Sequence, residues 1–169
     1  MNNYRKQNFN EDYKHGKQSE ELSFPDLKNI FKCEDLQHDP KQFAHFDFFD
    51  LNKNIMIELK TRDDIKVIDG IFHYTTRAGK EMILDTLYFD APKMRFGFQH
   101  NKHRRNQNEP IKDYFIVWKC NGDYYHWKIN WDKVEYYSEE QNRDWGKGQQ
   151  TRDVINVRCE YIQACSSLI

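Results

Sequence analysis

Apolar and polar positions interleave with period two from Ile55 to Thr61, where Ile55, Ile57 and Leu59 alternate with Met56, Glu58 and Lys60. That period is a strand's, and it sends the two sets of side chains to opposite faces. Phe43 to Leu51 reads as a preceding strand, with Asn52-Lys53-Asn54 as the hairpin turn. Upstream, Leu22, Leu27, Ile30 and Phe31 form the apolar stripe of a helix starting near Gly16, with Pro25 in its early turns or dividing it. A polar arm, residues 1–15, precedes it and is expected to fray. A third strand is expected over Met82 to Phe89, followed by Asp90 as N-cap and Pro92 in the first turn of a helix reaching about Asn101. Tyr114 to Cys120 and Tyr124 to Ile129 flank Asn121-Gly122, a strong short hairpin signal. Val154 to Tyr161 is the last strand, before a short helical turn through Leu168. The pattern predicts an α/β (α+β) chain with a central mixed β-sheet flanked by helices, forming one domain over residues 16–169.

Composition narrows the function classes. Among 169 residues, 26 Lys and Arg stand against 27 Asp and Glu, so general electrostatic wrapping of nucleic acid is excluded. Apolar residues make up only 38% of the chain, but aromatics reach 15%, which argues for an aromatic core rather than disorder. The longest apolar run, Tyr114 to Trp118, is far short of the roughly 20 residues of a membrane helix. The first twenty residues lack an apolar stretch of the kind a secretory leader carries, and Cys33, Cys120, Cys159 and Cys165 form no ligand spacing. A cytoplasmic protein with free thiols and no membrane partner is expected, in a host cytoplasm or a virion if the source is viral.

An acidic-x-Lys tripeptide recurs along the chain, but only Glu58/Lys60 falls inside a convincing strand. Antiparallel pairing across the turn sets Asp47 opposite Glu58 and His45 opposite Lys60, with Phe46 and Phe48 joining Ile57 and Leu59 on the apolar face. Asp50 falls near the turn and reads as a turn residue. Two facing carboxylates repel by up to about 1 kcal/mol. A divalent cation, held by one or two carboxylates together with water and phosphate oxygens, removes that cost. The alternative is a solvated face with an ordinary cross-strand charge pattern.

Asp47 followed by Glu58-Leu59-Lys60 after a hairpin resembles the PD-(D/E)XK nuclease superfamily, and is similar to its small single-domain versions in phages and large DNA viruses. The likeness spans about residues 16–169 and includes Glu20 on the first helix. Phe46, rather than Pro, precedes the first Asp. The resemblance implies a restriction-endonuclease-like core, Mg²⁺ or Mn²⁺ as cofactor, and nuclease activity on nucleic acid, DNA ahead of RNA. It makes Asp47 and Glu58 metal ligands, Leu59 a carbonyl ligand, Lys60 the water-activating group and Glu20 a supporting acid. A non-catalytic nucleic-acid-binding or assembly protein of the same fold is the rival reading.

Between Lys93 and Arg105 the chain carries Lys93, Arg95, Lys102, Arg104 and Arg105 with no acid, a candidate phosphate-binding patch or a solvated helix end. Lys93 stands out because positive charge is disfavoured at a helix start. Trp118, Tyr124, Tyr125, Trp127 and Trp131 offer a base-stacking platform, a core or a homodimer surface.

Overall fold

A computed structural model describes residues 3–39, 41, 45–131, 135–139 and 152–168. Helix α1 (Asn3–Ile30) is followed by strands β1 (Gln37–His38), β2 (Phe48–Asp50), β3 (Ile55–Arg62), β4 (Ile65–Ile68), β5 (Ile71–Thr75), β6 (Glu81–Leu84) and β7 (Thr86–Asp90). Helix α2 (Ala91–Asn106) then leads to β8 (Asp113–Cys120), β9 (Asp123–Lys128), β10 (Glu135–Glu139), β11 (Arg152–Arg158) and β12 (Gln163–Ala164), with 3-10 turns at Cys159–Tyr161 and Cys165–Leu168. The class is α+β around a mixed sheet, as the pattern predicts.

The main sheet has six strands in the order β1-β2-β3-β8-β9-β12. Its β3–β8 pair is parallel and the others are antiparallel. A parallel neighbour requires a crossover, and the chain makes it through β4 to β7 and α2. Central strands covered on both faces read as continuous apolar runs, which is why β8 carries Tyr114, Ile116, Val117 and Trp118, all buried. On one face Leu27, Ile30 and Phe31 of the α1 end pack with Phe48, Ile57, Leu59 and Val117. On the other, Tyr114, Ile116 and Trp118 meet Phe46, the α2 side chains Met94 and Phe96, and Leu87, Phe89, Ile155 and Val157 of the smaller sheet β10-β11-β7. A third sheet, β4-β5-β6, forms a meander.

The hairpin register is the expected one: Phe48 pairs with Ile57 and Asp50 with Ile55. Asp50 Oδ1 accepts the Lys53 N–H at 2.9 Å, a turn role. Asn121 and Gly122 both take positive φ, 47° and 96°, as a type I′ hairpin turn requires.

Several boundaries differ from the pattern. Helix α1 begins at Asn3 and contains Pro25 without ending there. Leu22 is 67% exposed and leaves the stripe, while Ser19 and Ser23 are buried in its place. The expected Met82–Phe89 strand is two, because the chain changes sheets at Asp85. Strand β2 begins at Phe48, since residues 45–47 form a bend; Phe43 and Ala44 of the expected strand lie outside the described residues. The bend turns Phe46 away from Phe48 and into the α2-side core.

Gly97 fixes how closely α2 approaches the sheet. A Cβ there would stand 3.3 Å from the Tyr114 ring. Gly97→Leu is expected to cost about 1–3 kcal/mol through overpacking, read as a lower denaturation midpoint with an unchanged slope.

Candidate active site

Glu58 is the centre of the site. It lies on the α2-facing side of β3, only 2% exposed, so the solvated-face alternative does not hold. A carboxylate buried that deeply requires compensating charge. Lys60 Nζ stands 2.9 Å from Glu58 Oε1, and Lys93 Nζ, from the first turn of α2, stands 2.8 Å from Oε2. The Lys93 contact is ionic in geometry, and buried Oε2 accepts no hydrogen bond. Lys60 also donates to Asp90 Oδ2 at 3.1 Å. Burial works against the Lys60 charge, yet Glu58 and Asp90 outweigh it and hold its pKa above the ordinary value.

Asp47 reaches this cluster through the backbone. Its N–H donates to the Ile57 carbonyl at 3.1 Å, and its carboxylate Oδ2 accepts the Leu59 N–H at 2.8 Å. A side chain thus takes the amide that a regular ladder would give to a main-chain carbonyl, a consequence of the bend at residues 45–47. Burial, reinforced by Glu58 and Glu20, pushes the Asp47 carboxyl up to about 8, against the opposing pull of the Leu59 N–H and Lys93.

Glu20 stands at the edge of the cluster on α1, ion-paired to Lys17 at 2.8 Å and hydrogen-bonded to His38 Nε2 at 2.6 Å. One residue earlier, Ser19 hydrogen-bonds Thr61 and ties α1 to β3 beside Lys60. Glu20 therefore acts on Asp47 through its field. His45, expected opposite Lys60, instead stacks on Phe96 with ring centroids 3.9 Å apart, again because residues 45–47 bend.

Asp90 is the residue that sequence reasoning missed as a site member. It occupies the N-cap position but makes no side-chain cap bond. Its carboxylate turns to Lys60 instead. The available signal was an acid at the end of a strand immediately before a Pro-led helix.

The basic stretch does not act as one patch. Lys93 points to Glu58, Arg95 pairs with Asp153 at 2.9 Å, and Arg104 pairs with Glu109 at 3.0 Å. Lys102 and Arg105 are exposed near the far end of α2. The aromatic hairpin is chiefly core: Trp118 and Trp127 are buried, and Tyr124, Tyr125 and Trp131 are half-buried.

Comparison of the chain with protein-family models, curated proteins and solved structures finds no significant match.

Among the described residues, no three His, Cys, Asp or Glu side chains are grouped to hold a metal by themselves. Asp47 and Glu58 lie close enough to act on each other electrostatically. Asp47 and Glu58 supply hard carboxylate oxygens, one of them buried without a hydrogen bond. A strand residue's N–H and C=O leave on the same edge, so the Leu59 carbonyl faces the Asp47 side. Mg²⁺ typically takes one or two carboxylates and completes its shell with water and phosphate oxygens, and this set fits such an ion. The described residues contain no helix long and apolar enough to cross a membrane.

Proposed function

We propose that the chain is a divalent-metal-dependent nuclease of the PD-(D/E)XK kind, hydrolysing phosphodiester bonds in DNA. The observation that carries this reading is the convergence of Asp47 and Glu58-Leu59-Lys60: the first carboxylate is bonded to the backbone amide between the other two charged residues. The parallel β3–β8 pairing across α2 supports a restriction-endonuclease-like core for that cluster. Asp47, Glu58 and the Leu59 carbonyl would hold Mg²⁺ or Mn²⁺, which supplies Lewis-acid stabilisation of charge on the scissile phosphate. Lys60, fixed between Glu58 and Asp90, orients the attacking water and stabilises negative charge beside it. Glu20 tunes Asp47 through space, and exposed Lys102 and Arg105 offer phosphate contacts away from the reacting centre.

Purified protein is expected to cleave DNA with Mg²⁺ or Mn²⁺, to stop when the metal is chelated, and to lose cleavage in Asp47→Asn and Glu58→Gln. Metal-independent cleavage, or equal rates in both folded variants, would overturn the reading. A non-catalytic protein of the same fold is the second reading, favoured by the occupation of both Glu58 oxygens by lysines. It predicts DNA retention in a gel-shift assay with no cleavage at any metal concentration.

A further inference from the structure

Lys112 is a buried lysine without an ion-paired acid. It stands just before β8, where Asn101 of α2 holds its backbone from both sides: the Lys112 N–H donates to Asn101 Oδ1 at 2.8 Å, and Asn101 Nδ2 donates to the Lys112 carbonyl at 2.9 Å. The residue is only 9% exposed, and among the described residues its ammonium group donates to Met56 Sδ alone, at 3.9 Å. A thioether is a weak acceptor that brings no charge, whereas a buried ammonium ordinarily has an ionic partner. Glu109 is an acid whose field reaches Lys112, but it is ion-paired to Arg104 at 3.0 Å. Burial, with Arg104 adding to it, holds the Lys112 pKa below its ordinary value. His100, whose Nδ1 shares a hydrogen bond with the Tyr114 hydroxyl at 2.7 Å, is lowered in the same way, by burial and then by Lys112, Arg104 and His103.

We propose that Lys112, with His100 beside it, forms an anion site that holds a phosphate of the nucleic-acid backbone adjoining the one at the carboxylates. The inference rests on the nuclease reading above and adds a substrate contact outside the Asp47, Glu58 and Lys60 cluster. Position supports it. Met56, Glu58 and Lys60 alternate along the α2-facing side of β3, so the Met56 contact sets the Lys112 ammonium one alternate position from Glu58, about 7 Å along the strand. That span matches one or two nucleotides, at about 3.4 Å of duplex axis per phosphate of one strand. Charge supports it too. A phosphate oxygen is a charged, strong acceptor, and it gives the ammonium a charge-assisted hydrogen bond in place of the thioether. It also relieves the repulsion between Lys112 and His100. Arg104 is not part of the site, because Glu109 and the Pro110 carbonyl hold its guanidinium.

Two measurements test this. Inorganic phosphate, exchanged for chloride at equal ionic strength in chelator, is expected to raise the denaturation midpoint of the wild type and not that of Lys112→Met. Methionine removes a buried charge that has no ionic partner, so without phosphate the variant is expected to be at least as stable as the wild type; Lys112→Gln serves as a second neutral variant. DNA retention across a salt series is expected to weaken in both, with the slope of log affinity against log salt smaller by about one, while Lys112→Arg keeps the wild-type slope. Equal stabilisation by phosphate in wild type and neutral variants, or equal salt slopes, overturns the Lys112 site and leaves the nuclease reading intact, since that reading is decided by Mg²⁺-dependent cleavage. Phosphate stabilisation confined to the wild type, in a protein that neither retains nor cleaves DNA with Mg²⁺ present, overturns the nuclease reading and the backbone source together and leaves free phosphate as the ligand.

Discussion

Replacing Lys60 with methionine is expected to lower metal-dependent DNA cleavage by on the order of 10²–10³, the range ascribed to removal of one preorganised group that stabilises developing charge. The side chain is anchored from two sides, 2.9 Å from Glu58 Oε1 and 3.1 Å from Asp90 Oδ2, whereas Lys93 contacts the other Glu58 oxygen. Methionine keeps the apolar stem and removes only the charge. Glu58 retains Lys93 and Asp90 is partly exposed, so the stability loss should remain below the roughly 3–5 kcal/mol of stranding a fully buried charge. Single-turnover cleavage with saturating Mg²⁺, alongside urea denaturation, separates the two effects. A folded Lys60→Met protein that cleaves at the wild-type rate removes Lys60 from the chemistry.

The second large effect concerns stability and pH. In the unfolded chain Asp47 titrates near an ordinary aspartate, about 3.9; in the metal-free folded protein its carboxyl is pushed up to about 8, first by burial and then by Glu58 and Glu20. Between those values the folded state holds a proton that the unfolded state has released. Stability must therefore fall as pH rises from about 4 to about 8, by a few kcal/mol attributable to this one group, and level off above. Asp47→Asn, neutral throughout, should lack that component. Denaturation midpoints of both proteins, measured in chelator across the window, give the difference directly. Parallel curves would contradict the assignment of the shift to Asp47.

How much of this could be read from the sequence depended on whether a feature is local. The β3 strand and its pairing with β2 were legible because period two and a short turn determine them together, and Asn121-Gly122 because positive φ at two successive positions strongly restricts the residue types. Asp69-Gly70, also both at positive φ, closes the β4–β5 hairpin by the same chemistry, a signal the pattern reading passed over among short charged segments. The polar stretch before Gly16 showed no stripe, and its helix became apparent only in the structure.

The candidate site was half legible. Alternation placed Glu58 and Lys60 on one face but could not show what covers that face. Its cover is the first turn of α2, brought close where Gly97 lets the helix meet Tyr114, and with it come Lys93 and Asp90. Phe46 and His45 defied the strand pattern for a related reason: a bend of three residues is invisible to a two-residue period.

The bond from the Leu59 amide to the Asp47 carboxylate also gives the molecule a built-in reporter. Most amides of β3 exchange with solvent at a rate set by the sheet, but this one is protected by a titratable side chain. Its proton should exchange faster, and its resonance move, whenever Asp47 changes protonation or takes another partner. A single backbone signal can therefore follow events at the carboxylates without a label, a substrate or an assay of turnover.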